Sequence, residues 1–251
     1  MRELLTFHPP VIAHRGASAY APENTLIAFT KAAQLGMHWV EFDVMQAACG
    51  EPVIFHDEEL DRTTNGSGRV DAYPYAYLGT LDAGAWFQPV YAGERIPSLA
   101  LMLDFLKTSK MCANIEIKPF PGHEESLVLR VVDEMAAYLA TSTATVLFSS
   151  FSIETLRILR RNSPNSLIGL LIHEWRPDWE KLCESLSAVS LHVNHVLLTF
   201  KRAQEIKAAG KTLLCYTVND PLRANELYSW GVDAVFSDVP DKIVMGLTHL
   251  V

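Results

Sequence analysis

Short apolar runs separated by helix-patterned stretches recur from one end of this 251-residue chain to the other. The runs fall at 11–13, 39–44, 52–55, 113–117, 145–148, 167–172, 189–193, 212–217 and 234–236. Helical patterning fills 24–35, 98–108, 123–140, 152–162, 177–187, 199–209, 220–229 and 240–247. Strand-then-helix alternation is the mark of a parallel sheet with crossover helices. If 52–55 is a hairpin extension of the second run, eight units remain. Eight units in about 250 residues fit a (β/α)8 TIM barrel. A doubly wound open sheet fits the same alternation, and composition does not separate the two.

One stretch breaks the rhythm. Residues 57–97 carry Thr63-Thr64-Asn65-Gly66-Ser67-Gly68 and several aromatics with no clean period. They read as a small insertion after the second strand. No Pro- or Ser-rich linker divides the chain, so 1–251 is expected to be one domain.

The chain is 49% hydrophobic and 20% charged, which excludes a disordered tail or a fibrous repeat. A formal net charge of -8 argues against coating the phosphates of nucleic acid. It does not argue against one small phosphorylated ligand, because a local cluster can oppose the global charge. The cysteines Cys49, Cys112, Cys183 and Cys215 show no CxxC spacing and are too sparse for a disulfide scaffold. They read as free thiols in a reducing compartment. The opening MRELLTFHPP lacks the apolar stretch of a secretory signal. No segment approaches the ~18 apolar residues of a membrane span. A soluble, cytoplasmic protein is expected; its oligomeric state is not legible.

Ionisable residues cluster at the ends of the early runs. His14-Arg15-Gly16 follows the first, Glu41-x-Asp43 lies on the second, His56-Asp57 ends the hairpin extension, and Glu116-x-Lys118 ends the run from Ala113. In a parallel barrel the C-terminal strand ends converge on one face. Residues i and i+2 of a strand share a side, so Glu41 and Asp43 project together, as do Glu116 and Lys118. Three carboxylates converging in a barrel mouth would repel without a positive centre among them. A hard divalent cation with oxygen ligands, Mg²⁺ or Ca²⁺, is the simplest solution. Zinc would ask for more His or Cys.

Plainer readings exist for each residue. An isolated E-x-D is usually the solvated face of an edge strand, a lone His after a strand a hydrogen-bonded neighbour, and Glu116 with Lys118 a surface ion pair. Their joint occurrence at successive strand ends is what favours a site. His173, His192 and His195 read as packing or surface residues. Asp238 either shapes the mouth or caps the final helix. Trp86, Phe87 and Tyr91 either line a pocket or pack the insertion onto the barrel. Glu23 and Asn24 start the first helix or hold neighbours.

The sequence resembles the glycerophosphodiester phosphodiesterase family of bacterial cytoplasmic type. The likeness rests on His14-Arg15-Gly16-Ala17, Pro22-Glu23-Asn24-Thr25, Glu41-Phe42-Asp43-Val44, His56-Asp57 and Leu60-Asp61-Arg62-Thr63-Thr64-Asn65-Gly66. Glu116-Ile117-Lys118, Ser149-Ser150-Phe151, Thr217-Val218-Asn219 and Ser237-Asp238 extend it. The resemblance implies a (β/α)8 barrel with an insertion after the second strand. It implies metal-dependent hydrolysis of glycerophosphodiesters, small-molecule substrates, to sn-glycerol 3-phosphate and an alcohol. By the same likeness Glu41, Asp43 and Glu116 match metal ligands, His14 and His56 an acid–base pair, and Arg15 and Lys118 phosphate contacts. Two departures stand out. Cys49-Gly50 replaces the usual Asp-Gly of the hairpin turn, which bears on a turn and not on the site. Tyr216 replaces a Trp and remains a candidate aromatic wall for the substrate.

In that mechanism one histidine takes a proton from the nucleophile and the other protonates the leaving alkoxide, with His14 favoured as acceptor and His56 as donor. The nucleophile is left open between water and the substrate's own glycerol hydroxyl. The rivals are a related barrel phosphodiesterase acting on lipid, and a non-catalytic phosphate-ester binder on the same fold. The first lacks a basic amphipathic segment to support it. The second has no need of an acid–base pair.

Overall fold

The computed structural model describes residues 5–247. Eight parallel strands close on themselves: β1 (Val11–His14), β2 (Trp39–Gln46), β4 (Cys112–Ile117), β5 (Val146–Ser150), β6 (Leu167–Ile172), β7 (Ser190–Asn194), β8 (Thr212–Tyr216) and β9 (Ala234–Ser237). Each pairs with the next, and β9 pairs with β1 while β1 pairs with β2, so the sheet is a closed TIM barrel. The open doubly wound alternative is thereby excluded. β3 (Pro52–Ile54) runs antiparallel to the last residues of β2, matching Val44 to Ile54 and Gln46 to Pro52. It takes up β2 beyond Glu41, the last β2 residue that β1 pairs with.

Helices follow the strands: α1 (Leu26–Gln34), the short α2 (Tyr75–Leu78) inside the insertion, α3 (Leu99–Ser109), α4 (Glu124–Leu139), α5 (Ile153–Asn162), α6 (Trp179–Ser185), α7 (Phe200–Ala208), α8 (Pro221–Ser229) and α9 (Pro240–Met245). Many start on a side-chain cap. Thr25, Ser98, Ser152, Thr199 and Asp220 each accept a first-turn N–H, so the chain turns into its helix just past the barrel mouth. Among the described residues no helix is long and apolar enough to cross a membrane.

Strand alternation sorts the side chains. Val11 and Ala13, Val40 and Phe42, and Ala113 and Ile115 join the large core shared with the helices. The alternate residues Ile12, Trp39, Leu147, Leu214 and Phe236 form a separate cluster. They fill the barrel's interior, where Phe7 lies against Trp39 at 4.7 Å between ring centres.

The same inward-facing positions carry polar residues farther along the strands. Asn114 Nδ2 donates to Ser149 Oγ at 2.9 Å, and Ser190 Oγ meets His192 Nε2 at 2.9 Å. His192 is fully buried, and burial pushes its imidazole down to about 3, so it is neutral. Gly169 makes its room: a Cβ there would lie 2.3 Å from His192 Nε2. His192 is thus a packing residue.

The insertion leaves after β3 and returns to it. Ile54 N donates to Pro97 O at 2.8 Å, so the ends of this excursion lie together. It has its own apolar cluster, with Leu60, Val70, Leu78, Leu81 and Ile96 packed on Val53 and Phe55.

Candidate active site

The first corner of the site is the turn after β1. Arg15 has φ +53° and Gly16 φ +83°, so the chain reverses through the left-handed region directly beyond His14. Gly16 is required twice over, because a Cβ there would lie 2.6 Å from the Ala28 carbonyl carbon. The turn aims Arg15 N–H at Glu41 Oε2, 2.9 Å away. It also brings Asn24 against the second corner, where Asn24 Nδ2 donates to Asp43 Oδ2 at 2.9 Å.

Strand register makes the third corner. Asp43 on β2 lies opposite Glu116 on β4, and His14 on β1 opposite Glu41. Glu41, Asp43 and Glu116 each offer a carboxylate oxygen within 4.8 Å of the other two. The charges are unequally compensated. Asp43 has Lys118 Nζ at 3.5 Å and Arg15 Nε at 3.4 Å. Burial raises its carboxyl, but Lys118 and Arg15 outweigh that and hold it well below the usual range. Glu41 and Glu116 go the other way. Burial, then Asp43 and Glu116, raise Glu41 well above its ordinary value. Burial, then Asp43, push Glu116 up to about 8. Three converging oxygen donors, two buried and one half-buried, with too little positive charge among them fit a hard divalent cation.

Two histidines face the same cavity of about 360 Å³. His14 Nδ1 donates to Asp238 Oδ1 at 2.7 Å, and His56 Nδ1 to Asp57 Oδ1 at 2.5 Å. Each ring therefore has a carboxylate on Nδ1, which leaves Nε2 for other chemistry. His14 Nε2 lies 3.9 Å from Glu41 Oε2. His56 is pushed below its usual value by burial; Asp43 pulls it back, and Arg15 and Lys118 lower it further. Asp238 is held at about 2, where bonds from His14, Asn219 and Ser18 overcome its burial.

All the expected site residues meet at this mouth. His14, Arg15, Glu41, His56, Glu116, Lys118 and Tyr216 line the cavity, with Asp43 bonded beside them. The ionisable wall comes from β1 to β4. The opposite wall, from β5 onward, is Phe151, Leu171, His173 and Tyr216. The Tyr216 ring stands edge-on to Phe151 at 5.9 Å, and its hydroxyl donates to Ile172 O at 2.8 Å.

Other residues sort themselves. Asp238 belongs to the mouth and not to the final helix, whose N-cap is Val239 with no side-chain cap. Glu23 and Asn24 hold neighbours, while Thr25 caps α1. Phe87 meets Trp86 and Tyr91 edge-on, and Tyr91 Oη donates to Tyr20 O at 2.7 Å. They pack the insertion rather than line the cavity. His173, expected as a packing or surface residue, is exposed and stands at the cavity, where it meets Phe151 edge-on at 6.4 Å. Its signal was its place directly after β6. His195 is half-buried behind the β8 end, with its N–H bonded to Tyr216 O.

Known proteins match along nearly all of this chain. The profile of the Glycerophosphoryl diester phosphodiesterase family fits residues 14–242. A glycerophosphodiester phosphodiesterase of Caldanaerobacter subterraneus is 33% identical over 93% of this chain and 96% of its own. One from Bacillus subtilis is 32% identical over 92% of this chain and 83% of its own. Among solved structures, an Oleispira antarctica phosphodiesterase in complex with the product sn-glycerol-3-phosphate superposes with a TM-score of 0.92. It is 39% identical and covers 95% of this chain and 96% of its own. A barrel with this mouth, matched by the family profile from His14 to Lys242, belongs to the glycerophosphoryl diester phosphodiesterase family and is a phosphoric diester hydrolase.

Proposed function

We propose that the chain hydrolyses glycerophosphodiesters to sn-glycerol 3-phosphate and an alcohol, acting as one barrel domain with a divalent cation, Mg²⁺ or Ca²⁺. The observation that carries this is one barrel mouth that brings three carboxylates, Glu41 and Asp43 buried and Glu116 half-buried, together with two histidines, each backed by its own carboxylate. The Oleispira antarctica relative, which binds the product sn-glycerol-3-phosphate, supports the same substrate class. A cytoplasmic site of action is part of the proposal, supported by free thiols at Cys49, Cys112, Cys183 and Cys215.

Glu41, Asp43 and Glu116 would hold the cation. When bound, it supplies positive charge for the phosphate oxygens as negative charge grows on them. Arg15 would present a planar donor pair to those oxygens, and Lys118 a point charge. Of His14 and His56, one accepts the nucleophile's proton at Nε2 and the other donates a proton to the leaving alkoxide. Asp238 and Asp57 would keep a proton on Nδ1 of each ring, so that Nε2 is the nitrogen that gains a proton in the one histidine and gives up its second proton in the other. Tyr216, with Phe151, forms an aromatic wall against the organic part of the diester.

The test is release of sn-glycerol 3-phosphate from several glycerophosphodiesters differing in alcohol, each with Mg²⁺ and with Ca²⁺. Product from at least one of them is expected. No product from any diester with either cation overturns the reading. Preference for intact lysophospholipid would move the substrate class to lipid.

A further inference from the structure

The turn at Leu60–Gly68 in the insertion is closed by its own hydrogen bonds. Leu60 is fully buried, Thr64 N and Oγ1 both donate to Leu60 O, and Gly68 N donates to Asp61 Oδ2. From this base Arg62 reaches back toward the barrel mouth. Its Nε and Nη2 donate to the two oxygens of Asp57 at 2.6 and 3.0 Å. Its Nη1 and Nη2 donate to the two oxygens of Glu23 at 2.8 and 2.7 Å. One guanidinium thus grips two carboxylates, each by both oxygens.

Each carboxylate in turn holds a residue of the cavity. Glu23 Oε1 accepts from Arg15 Nη1 at 2.7 Å, and Asp57 Oδ1 from His56 Nδ1 at 2.5 Å. The continuous chain is Arg15, Glu23, Arg62, Asp57 and His56, with charges that alternate from Arg15 to Asp57. Arg15 follows β1 and His56 follows β3, two elements that do not pair with each other. We infer that Arg62 is a positioning residue, which sets Arg15 and His56 in one frame through Glu23 and Asp57.

An exposed ion pair is ordinarily worth little. This one differs in geometry: Glu23 is 14% exposed and Asp57 26%, and both are gripped bidentately. Without Arg62 two anions face each other across the vacated span. Glu23 then has only Arg15 to neutralise it and draws that guanidinium from the cavity. Asp57 loses the two donors that orient it toward His56. Lysine cannot substitute, because one ammonium cannot present two donor pairs in a plane.

Arg69 is the internal control. It lies in the same insertion, is 46% exposed against 45% for Arg62, and also meets two carboxylates, Glu58 and Asp71. Its guanidinium also lies over the Phe120 ring at 4.6 Å, and neither Glu58, Asp71 nor Phe120 lines the cavity.

The experiment compares Arg62→Ala, Arg62→Lys and Arg69→Ala in the full chain with Mg²⁺ or Ca²⁺, on whichever diester it hydrolyses. Displacement of His56 and Arg15 by a fraction of an ångström to an ångström predicts a kcat loss of about 10²-fold for both Arg62 variants. Added guanidinium ion should restore part of the Arg62→Ala rate. Arg69→Ala should stay within about three-fold of wild type. The proposal is overturned if Arg62→Lys turns over within about three-fold of wild type, or if Arg69→Ala loses as much as Arg62→Ala.

The kinetic arm rests on the hydrolase reading; a second arm does not. ¹⁵N NMR of the histidine rings at alkaline pH should show His56 protonated on Nδ1 in wild type and averaged between its nitrogens in Arg62→Ala. An unchanged, fixed His56 ring in Arg62→Ala overturns the proposal whether or not any diester is hydrolysed.

Discussion

Asp238→Asn removes one charge and almost no volume, and the hydrogen bonds around the carboxylate determine the cost. Asp238 Oδ1 accepts from His14 Nδ1 at 2.7 Å and from Ser18 Oγ at 2.9 Å. Its Oδ2 accepts from Asn219 Nδ2 at 2.7 Å. Asn219 cannot turn over to help, because its Oδ1 already accepts from Ser237 Oγ and from Asp238 N. An amide at 238 has one acceptor where the site needs two. With its oxygen toward His14, its NH₂ meets the Asn219 NH₂; turned the other way, it meets the protonated Nδ1 of His14. Either arrangement forfeits a charge-assisted hydrogen bond of about 1.5–3 kcal/mol. If that stabilisation is used as the ring takes on charge, kcat falls by about 10- to 150-fold. Steady-state release of sn-glycerol 3-phosphate measures it, with circular dichroism to establish that the variant is folded. A folded Asp238→Asn enzyme within about two-fold of wild type would refute the assignment of Asp238 to His14.

The other predictions concern the histidines, the carboxylates and the barrel interior. His14→Ala and His56→Ala should each cut turnover by at least about 10²-fold while leaving the melting curve near wild type; near-normal rates from either remove that residue from the chemistry. Glu116 is raised to about 8 when folded, so between an unfolded value near 4.5 and about 8 the folded state holds a proton that the unfolded state has released. Chelated protein should therefore lose stability as pH rises from about 5 to about 8, and Mg²⁺ or Ca²⁺ should reduce that loss; parallel melting curves with and without cation would contradict it. Asp57 and Asp238 are lowered to about 2, so their contribution is present above about pH 4 and disappears as pH falls toward 2. Gly169→Ala drives a Cβ to 2.3 Å from His192 Nε2 and 2.7 Å from Ser190 Oγ. It should cost about 1–3 kcal/mol by overpacking, seen as a melting point several degrees lower, and an unchanged melting point would show that the polar interior yields easily.

The sequence carried the barrel because most of its outward strand positions are apolar and many of its helices begin at recognisable caps. It carried less of β5. Ser149 and Ser150 extend that strand past Phe148, pairing with Gly169 and Leu170 of β6, while Ser150 Oγ donates to Ile117 O and Ser149 Oγ accepts from Asn114. Polar residues inside a barrel do not look like a strand when read alone. β2 likewise runs on to Gln46 because β3 pairs with its end. The carboxylates and histidines were legible because strand ends and i, i+2 spacing aim them together. The partners Asp238, Asp57 and Arg62 stand in recognisable motifs, but nothing in those motifs assigns their contacts. Their bonds span separations as long as 224 residues, which no local pattern encodes. Phe151 and His173 were hidden for a similar reason: an aromatic beyond a strand end reads as surface until closure of the barrel sets it opposite the charged wall.

Glu41, Asp43 and Glu116 matter most if they hold a cation on which diester hydrolysis depends. The most direct measurement is the rate of sn-glycerol 3-phosphate release by chelator-stripped protein as Mg²⁺ or Ca²⁺ is titrated back. The expected result is a silent stripped enzyme whose rate returns and saturates with cation. Full activity in excess EDTA, with no metal found by elemental analysis, would contradict it.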